Sequence, residues 1–144
     1  MKQEFIVLKK NIIKILDALY KGKIQRLDQA YNTYLRSHRS QNVDKENLIR
    51  LCRGVVKHSL QLDSICKDFL PKWEKLPLSI QNLLRLATFQ LLSNTSTLKS
   101  VVVDEAVEIS KSFYTGNFSA LVNATLRKIA AQSNKYFKSL EGIE

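Results

Sequence analysis

Side-chain catalysis needs a nucleophile beside a base, a pair of carboxylates or a set of metal ligands, and each can be sought by residue type and spacing. His38 and His58 are the two histidines, and Cys52 and Cys66 the two cysteines. A metal site wants more ligands at closer spacing than these four provide. The cysteines sit in apolar helical contexts, LIRLCRGVV and LDSICKDFL, and are expected as free, buried thiols of a reducing compartment. Asp104, Glu105 and Glu108 form an acidic cluster. At a helix start the first two favour the macrodipole, and Glu108 can pair with Lys111, so a structural role outranks a catalytic one. No G-x-x-x-x-G-K-[ST], G-x-S-x-G or H-E-x-x-H is present. These observations argue against an enzyme.

The chemistry that remains is charge. Lys and Arg number 23 against 13 Asp and Glu, a formal net charge of +10. Such an excess attracts polyanions, of which nucleic acid is the commonest in a cell. Lys2, Lys9, Lys10 and Lys14 crowd the start of the chain. They either hold phosphate or form a solvated helix face. No apolar run of about 18 residues is present to span a membrane. The opening MKQEFIVLKKNIIK is interrupted by lysines and lacks the apolar core and cleavage site of a secretion signal. A cytoplasmic protein is expected.

Four glycines and two prolines leave little material for hairpin turns, which favours long helices. In residues 4–20, Phe5, Leu8, Ile12, Ile15 and Leu19 form one apolar stripe, with Lys10, Lys14, Asp17 and Lys21 opposite. Gly22 stops this helix. A second helix is expected over 24–37, with Leu27, Ala30, Tyr31, Tyr34 and Leu35 inward, then a polar loop over 38–42. A third starts near Asp44, capped by Asn42 or Asp44, and buries Leu48, Leu51, Cys52, Val55, Val56 and Leu60. Gly54 within it costs roughly 1 kcal/mol against alanine, which a close neighbouring helix would offset. A fourth helical segment runs over 62–70. PKWEKLP at 71–77 is the main punctuation, with Trp73 folded inward. The helix over 78–93 is expected to bury Ile80, Leu83, Leu84, Ala87 and Leu91; it is apolar around much of its circumference and belongs at the centre of the fold. After a polar loop, Val102, Ala106, Ile109 and Phe113 keep helical spacing, so VVVDEAVEISKSFY is no strand. A turn at 115–117 leads to the last helix, which holds Phe118, Leu121, Val122, Thr125, Leu126 and Ile129. The polar tail over 132–144 is expected to fray. The pattern predicts one all-α domain of six or seven helices, in two packed halves divided near 71–77.

Three strings then carry a resemblance: LLRLATFQLL (83–92), VVVDEAVEISKSF (101–113) and ALVNATLRKIA (120–130). In order and spacing they are similar to the NusB family, over about half the chain. The resemblance implies two packed three-helix bundles, no cofactor, and pairing with the small-subunit ribosomal protein NusE on the boxA element of nascent ribosomal RNA. It reaches other antitermination factors and RNA polymerase indirectly. It implies RNA contact by Lys2, Lys9, Lys10 and Lys14, where the family carries arginines, and by Asn117, Phe118, Leu121 and Asn123. Leu121 stands where the family has a phenylalanine, with Phe118 as its possible replacement, and Asn117 where it often has an acid. For Asn123, satisfying nearby backbone groups is an equal alternative. Tyr20 matches a partner-facing tyrosine, or is half-buried core. Ile80 and Gln90 replace acidic residues, the first of which meets the partner. Arg85, within LLRLA, is expected in a structural salt bridge. A helical interaction module without boxA function, or a module detached from a ribosomal RNA methyltransferase, is the alternative. The stretch to Glu144 shows no Rossmann segment, which ranks the methyltransferase reading lower.

Overall fold

The computed structural model describes residues 2–22, 26–38, 44–93 and 97–133, with backbone alone for 2–4 and 115. Among them lie seven α-helices and no strand: α1 (Lys2–Tyr20), α2 (Leu27–Ser37), α3 (Lys45–Lys57), α4 (Ser59–Phe69), α5 (Leu78–Leu92), α6 (Lys99–Ser110) and α7 (Ser119–Ala131). Two 3₁₀ turns, Trp73–Lys75 and Tyr114–Gly116, join α4 to α5 and α6 to α7. The all-α expectation is met. The expected helix start at Ile24, the Asn42 cap, most of the 38–42 loop and nearly all of the 132–144 tail lie outside the described residues.

α5 is the axle. Ile80, every residue from Asn82 to Phe89, Leu91 and Leu92 are buried, and the helix packs against α1, α3, α4, α6 and α7. A helix apolar around much of its circumference, whose buried Asn82 and Arg85 donate to Asp17 and Asp63, has little solvent face to offer and is enclosed. α1 lies across it and also touches α2, α3 and α6. This is why α1 buries Ile6, Ile13 and Leu16 as well as Leu8, Ile12 and Ile15 of the expected stripe, while Leu19 is half-buried. Phe5 departs from the expected stripe: in the first turn it is 43% exposed, at the rim of a cleft. α4 precedes the proline punctuation yet packs mainly on α5 and α7, so the helices group as α1–α3 and α4–α7, with α5 shared.

Local signals explain the boundaries. Gly22 ends α1 in the left-handed region, φ +76°, and its N–H donates to the Leu19 carbonyl. Asp44 caps α3 by accepting from the Asn47 N–H at 3.1 Å. A break at His58 separates α3 from α4 and resets the helical phase. Leu60 therefore does not continue the buried face of α3; it is 82% exposed. Trp73 is buried, as its place between two prolines suggested. Cys52 and Cys66 are free and buried, and burial pushes each thiol up to about 12. Thiols so protonated are poor nucleophiles and poor metal ligands. Among the described residues no group of three His, Cys, Asp or Glu could hold a metal ion, and no helix is long and apolar enough to cross a membrane.

Candidate nucleic-acid interface

The lysines of α1 divide. Lys10 and Lys14, four residues apart, share a face of the helix. Lys14 is exposed and Lys10 half-buried. Lys9 turns the other way. It is only 5% exposed, and its Nζ donates to Glu105 Oε1 of α6 at 2.6 Å, in an ion pair buried on both sides. Desolvation holds the Lys9 ammonium below its ordinary value, partly offset by the Glu105 hydrogen bond and charge. A cation enclosed in this way cannot reach a phosphate in solvent, which corrects the expectation of RNA contact at Lys9. Glu105 is likewise a partner in the core and not a helix-start charge. The Lys2 side chain lies outside the described residues.

α6 contacts α1, α5 and α7. Two neighbouring residues make the connections: Glu105 reaches Lys9, and Asp104 meets Arg127 of α7 at 3.6 Å. Between α6 and α7 runs an open groove of about 460 Å³, lined by Lys111, Ser119, Asn123 and Arg127 among others. Its carboxylates are engaged, Asp104 by Arg127 and Glu108 by Lys111 at 3.4 Å. Asn123 accepts from Arg127 Nε at 2.9 Å, a third option beside the two expected for it. Asn117 is exposed at the head of α7. Phe118 and Leu121 are half-buried and pack on the core, so each offers only part of its surface.

The residues expected to meet a protein partner do not form one patch. Tyr20 is 38% exposed at the end of α1, and the Arg85 guanidinium lies 4.6 Å from its ring centroid. Arg85 also stacks over Trp73 at 5.3 Å, donates to both carboxylate oxygens of Asp63 at 2.7 and 3.1 Å, and donates to Asn82 Oδ1. Asn82 and Ser79 in turn donate to Asp17. The salt bridge expected of Arg85 is present, and the network fixes Tyr20 against α5. Ile80 has no exposed surface. An aliphatic side chain at this core-facing position fills the interior, so contact of Ile80 with a partner is ruled out. Gln90 lies elsewhere, in the cleft lined by Phe5, Lys9 and Glu105. Lys9 and Tyr20 are separated along α1 by about 16 Å.

Tyr114, at the turn into α7, drew no attention from the sequence. Its ring is 51% exposed and meets Phe118 edge-on, with centroids 5.7 Å apart. An aromatic residue two positions before a glycine, in a turn without apolar periodicity, was the available signal.

Comparison with known proteins adds four findings. The model of the NusB family matches residues 9–131. The transcription antitermination protein NusB of Pseudoalteromonas atlantica is 31% identical over 124 residues, covering 84% of this chain and 89% of that protein. The NusB of Thermotoga maritima is 37% identical over 90 residues, 61% of this chain and 63% of that protein. A solved structure of T. maritima NusB superposes with a TM-score of 0.79 at 27% identity, over 92% of this chain and 96% of that one.

Proposed function

We propose, from the premise that this chain belongs to the NusB family, that it acts in transcription antitermination by holding single-stranded boxA-type RNA along α1, α6 and α7, beside the small-subunit ribosomal protein NusE. The observation that carries this reading is the packing of α6 on its neighbours. α6 contacts both α1, which carries Lys10 and Lys14, and α7, with which it forms the groove of Lys111, Asn123 and Arg127, on a chain of net charge +10. Phosphate contacts position the strand, and contacts to bases specify it. Asn117, Phe118, Leu121 and Asn123 stand where base contacts would be made. RNA polymerase and other antitermination factors are reached through the assembled complex.

The test is salt dependence. Lys10→Ala with Lys14→Ala removes two phosphate contacts, which reduces the slope of log K against log salt by roughly 1 to 2 units for a single strand. Lys9 is left in place because it is not free to contribute. An unchanged slope would reduce the α1 lysines to a solvated face.

Lysine meets phosphate as a point charge without arginine's fork, so the isolated chain is expected to bind RNA modestly and with little sequence preference. The preference for boxA appears when the ribosomal partner is added. Tyr20 is the exposed anchor for that partner. Tyr20→Ala removes the partner-dependent preference while leaving the helical circular-dichroism signal intact, because Arg85 keeps Trp73 and Asp63. Equal boxA preference with and without the partner would refute this dependence.

A further inference from the structure

α3 presents a basic face that the reading above does not use. Arg50, Arg53 and Lys57 are exposed and spaced by three and four residues. They form one stripe on the solvent side of the helix, about 10 Å long from first to last. Glu46, one turn before Arg50, opens the same face. Among the described residues, however, no carboxylate pairs with any of the three cations, whereas Arg26, Arg85 and Arg127 are each paired with an aspartate. Neutral oxygens hold the two arginines of the stripe instead. Arg50 Nη2 donates to Asn47 Oδ1 at 3.0 Å, and the Asn47 amide donates in turn to Asp44, the cap of α3. Arg53 Nη2 donates to the hydroxyl of Tyr31 on α2 at 3.2 Å. A guanidinium has five N–H donors, so each is oriented while most of its fork remains for an anion.

The stripe is continuous with α1. Arg50 and Asn47 line one cleft together with Phe5, Leu8 and Lys9, and the Phe5 ring is partly exposed there. A line of held cations beside an exposed aromatic ring suits single-stranded nucleic acid, whose phosphates follow a basic track while a base stacks on the ring. An acidic protein segment would account for the cations alone. We propose that Arg50, Arg53 and Lys57 form a second phosphate track, over which a single-stranded RNA held on α1 continues across the Phe5 cleft onto α3. The inference rests on the RNA-binding reading above and lengthens its footprint. It also relocates the bidentate contacts: α1 offers lysines as point charges, and α3 offers two forks that can meet phosphate oxygens in pairs.

The test compares two single-stranded RNAs binding to the full chain, one only long enough for the surface of α1, α6 and α7 and one extended at both ends. The unaltered chain binds the extended RNA more tightly, with a steeper fall of log K against log salt. Arg50→Gln with Arg53→Gln and Lys57→Gln removes three phosphate contacts. On the extended RNA this variant has a slope shallower by roughly 2 units and an affinity lower by roughly ten- to one-hundredfold at about 0.1 M salt. Its binding of the short RNA is unchanged, and its Tm hardly moves, because glutamine is well tolerated on an exposed helix face. Arg50→Lys with Arg53→Lys keeps the slope of the unaltered chain and loses only part of the affinity, since charge is retained without the fork. Equal slopes for the triple variant and the unaltered chain on the extended RNA would overturn the track. Loss of salt-sensitive polyglutamate binding in the triple variant, with RNA binding unchanged, would assign the stripe to an acidic protein and overturn it equally. Either result leaves the α1 reading standing if Lys10→Ala with Lys14→Ala still reduces the slope. Failure of the unaltered chain to bind either RNA would overturn both readings.

Discussion

Glu105→Ala lowers the stability of the fold by about 3–5 kcal/mol, because it leaves the Lys9 ammonium buried without a partner. Against a typical total of about 5–15 kcal/mol, that is a large share, and the midpoint of urea unfolding at neutral pH should fall accordingly. The deficit depends on pH with a definite sign. Burial already holds Lys9 below its ordinary value, and losing Glu105 removes the only effects that raise it. Between the depressed folded value and about 10.4, the unfolded chain binds more protons than the folded one, so stability rises with pH. The variant therefore recovers part of its loss at alkaline pH, where Lys9 is neutral in the fold. Lys9→Met with Glu105→Leu, which replaces the pair by apolar groups of similar volume, should be neutral or more stable than the parent. If Glu105→Ala unfolds within 1 kcal/mol of the parent, the pair is not the enclosed contact described here.

Gly54→Ala is the second large effect. A Cβ at Gly54 would lie 2.1 Å from Phe89 Cζ and 2.6 Å from both Cε atoms. Phe89 is fully buried in α5 and stacks at 6.3 Å on His58, which is itself buried. The ring cannot yield to the methyl group without disturbing the interior. Overpacking of this kind costs about 1–3 kcal/mol, and the roughly 1 kcal/mol that alanine gains in helix propensity offsets only part. The variant should melt at lower temperature, and Phe89→Leu in the same chain should restore most of the loss by vacating the space. A Gly54→Ala protein that melts higher than the parent would mean that the α3–α5 contact is looser than its geometry indicates.

Periodicity made most of this fold legible. The spacing of Leu48, Leu51, Cys52 and Val55 marked the buried face of α3, the apolarity of 78–92 around much of the helix put α5 at the centre, and a glycine inside a helix signalled a close neighbour. What periodicity reports is the angle of a residue about its own helix. It does not say which helix lies over that angle or what charge that helix brings. Resemblance groups Lys9 with Lys10 and Lys14, although its spacing, four after Phe5 and three before Ile12, sets it beside the apolar stripe; what the spacing cannot tell is that Glu105 of α6 stands there as its partner. Ile80 carries two readings, buried by its spacing with Leu83, Leu84, Ala87 and Leu91 and partner-facing by resemblance, and the helices packed around α5 bear out the first. Leu60 misled because a one-residue break at His58 rotates everything after it. Tyr114 lies in a turn, where there is no period to read.

The distance along the chain between Lys9 and Glu105, 96 residues, has a kinetic consequence. Helical domains owe their fast folding to contacts between near neighbours in sequence. This ion pair is the opposite kind of contact. During synthesis α1 leaves the ribosome long before α6 exists, and its lysine stays hydrated until nearly the whole domain has been made. The desolvation of Lys9 then belongs to the last closure of the bundle, after the transition state. Loss of the pair should speed unfolding and leave the refolding rate almost untouched, a φ-value near zero. On that expectation the pair adds to the resistance of the folded chain to forced or irreversible opening without changing how quickly the chain finds its fold.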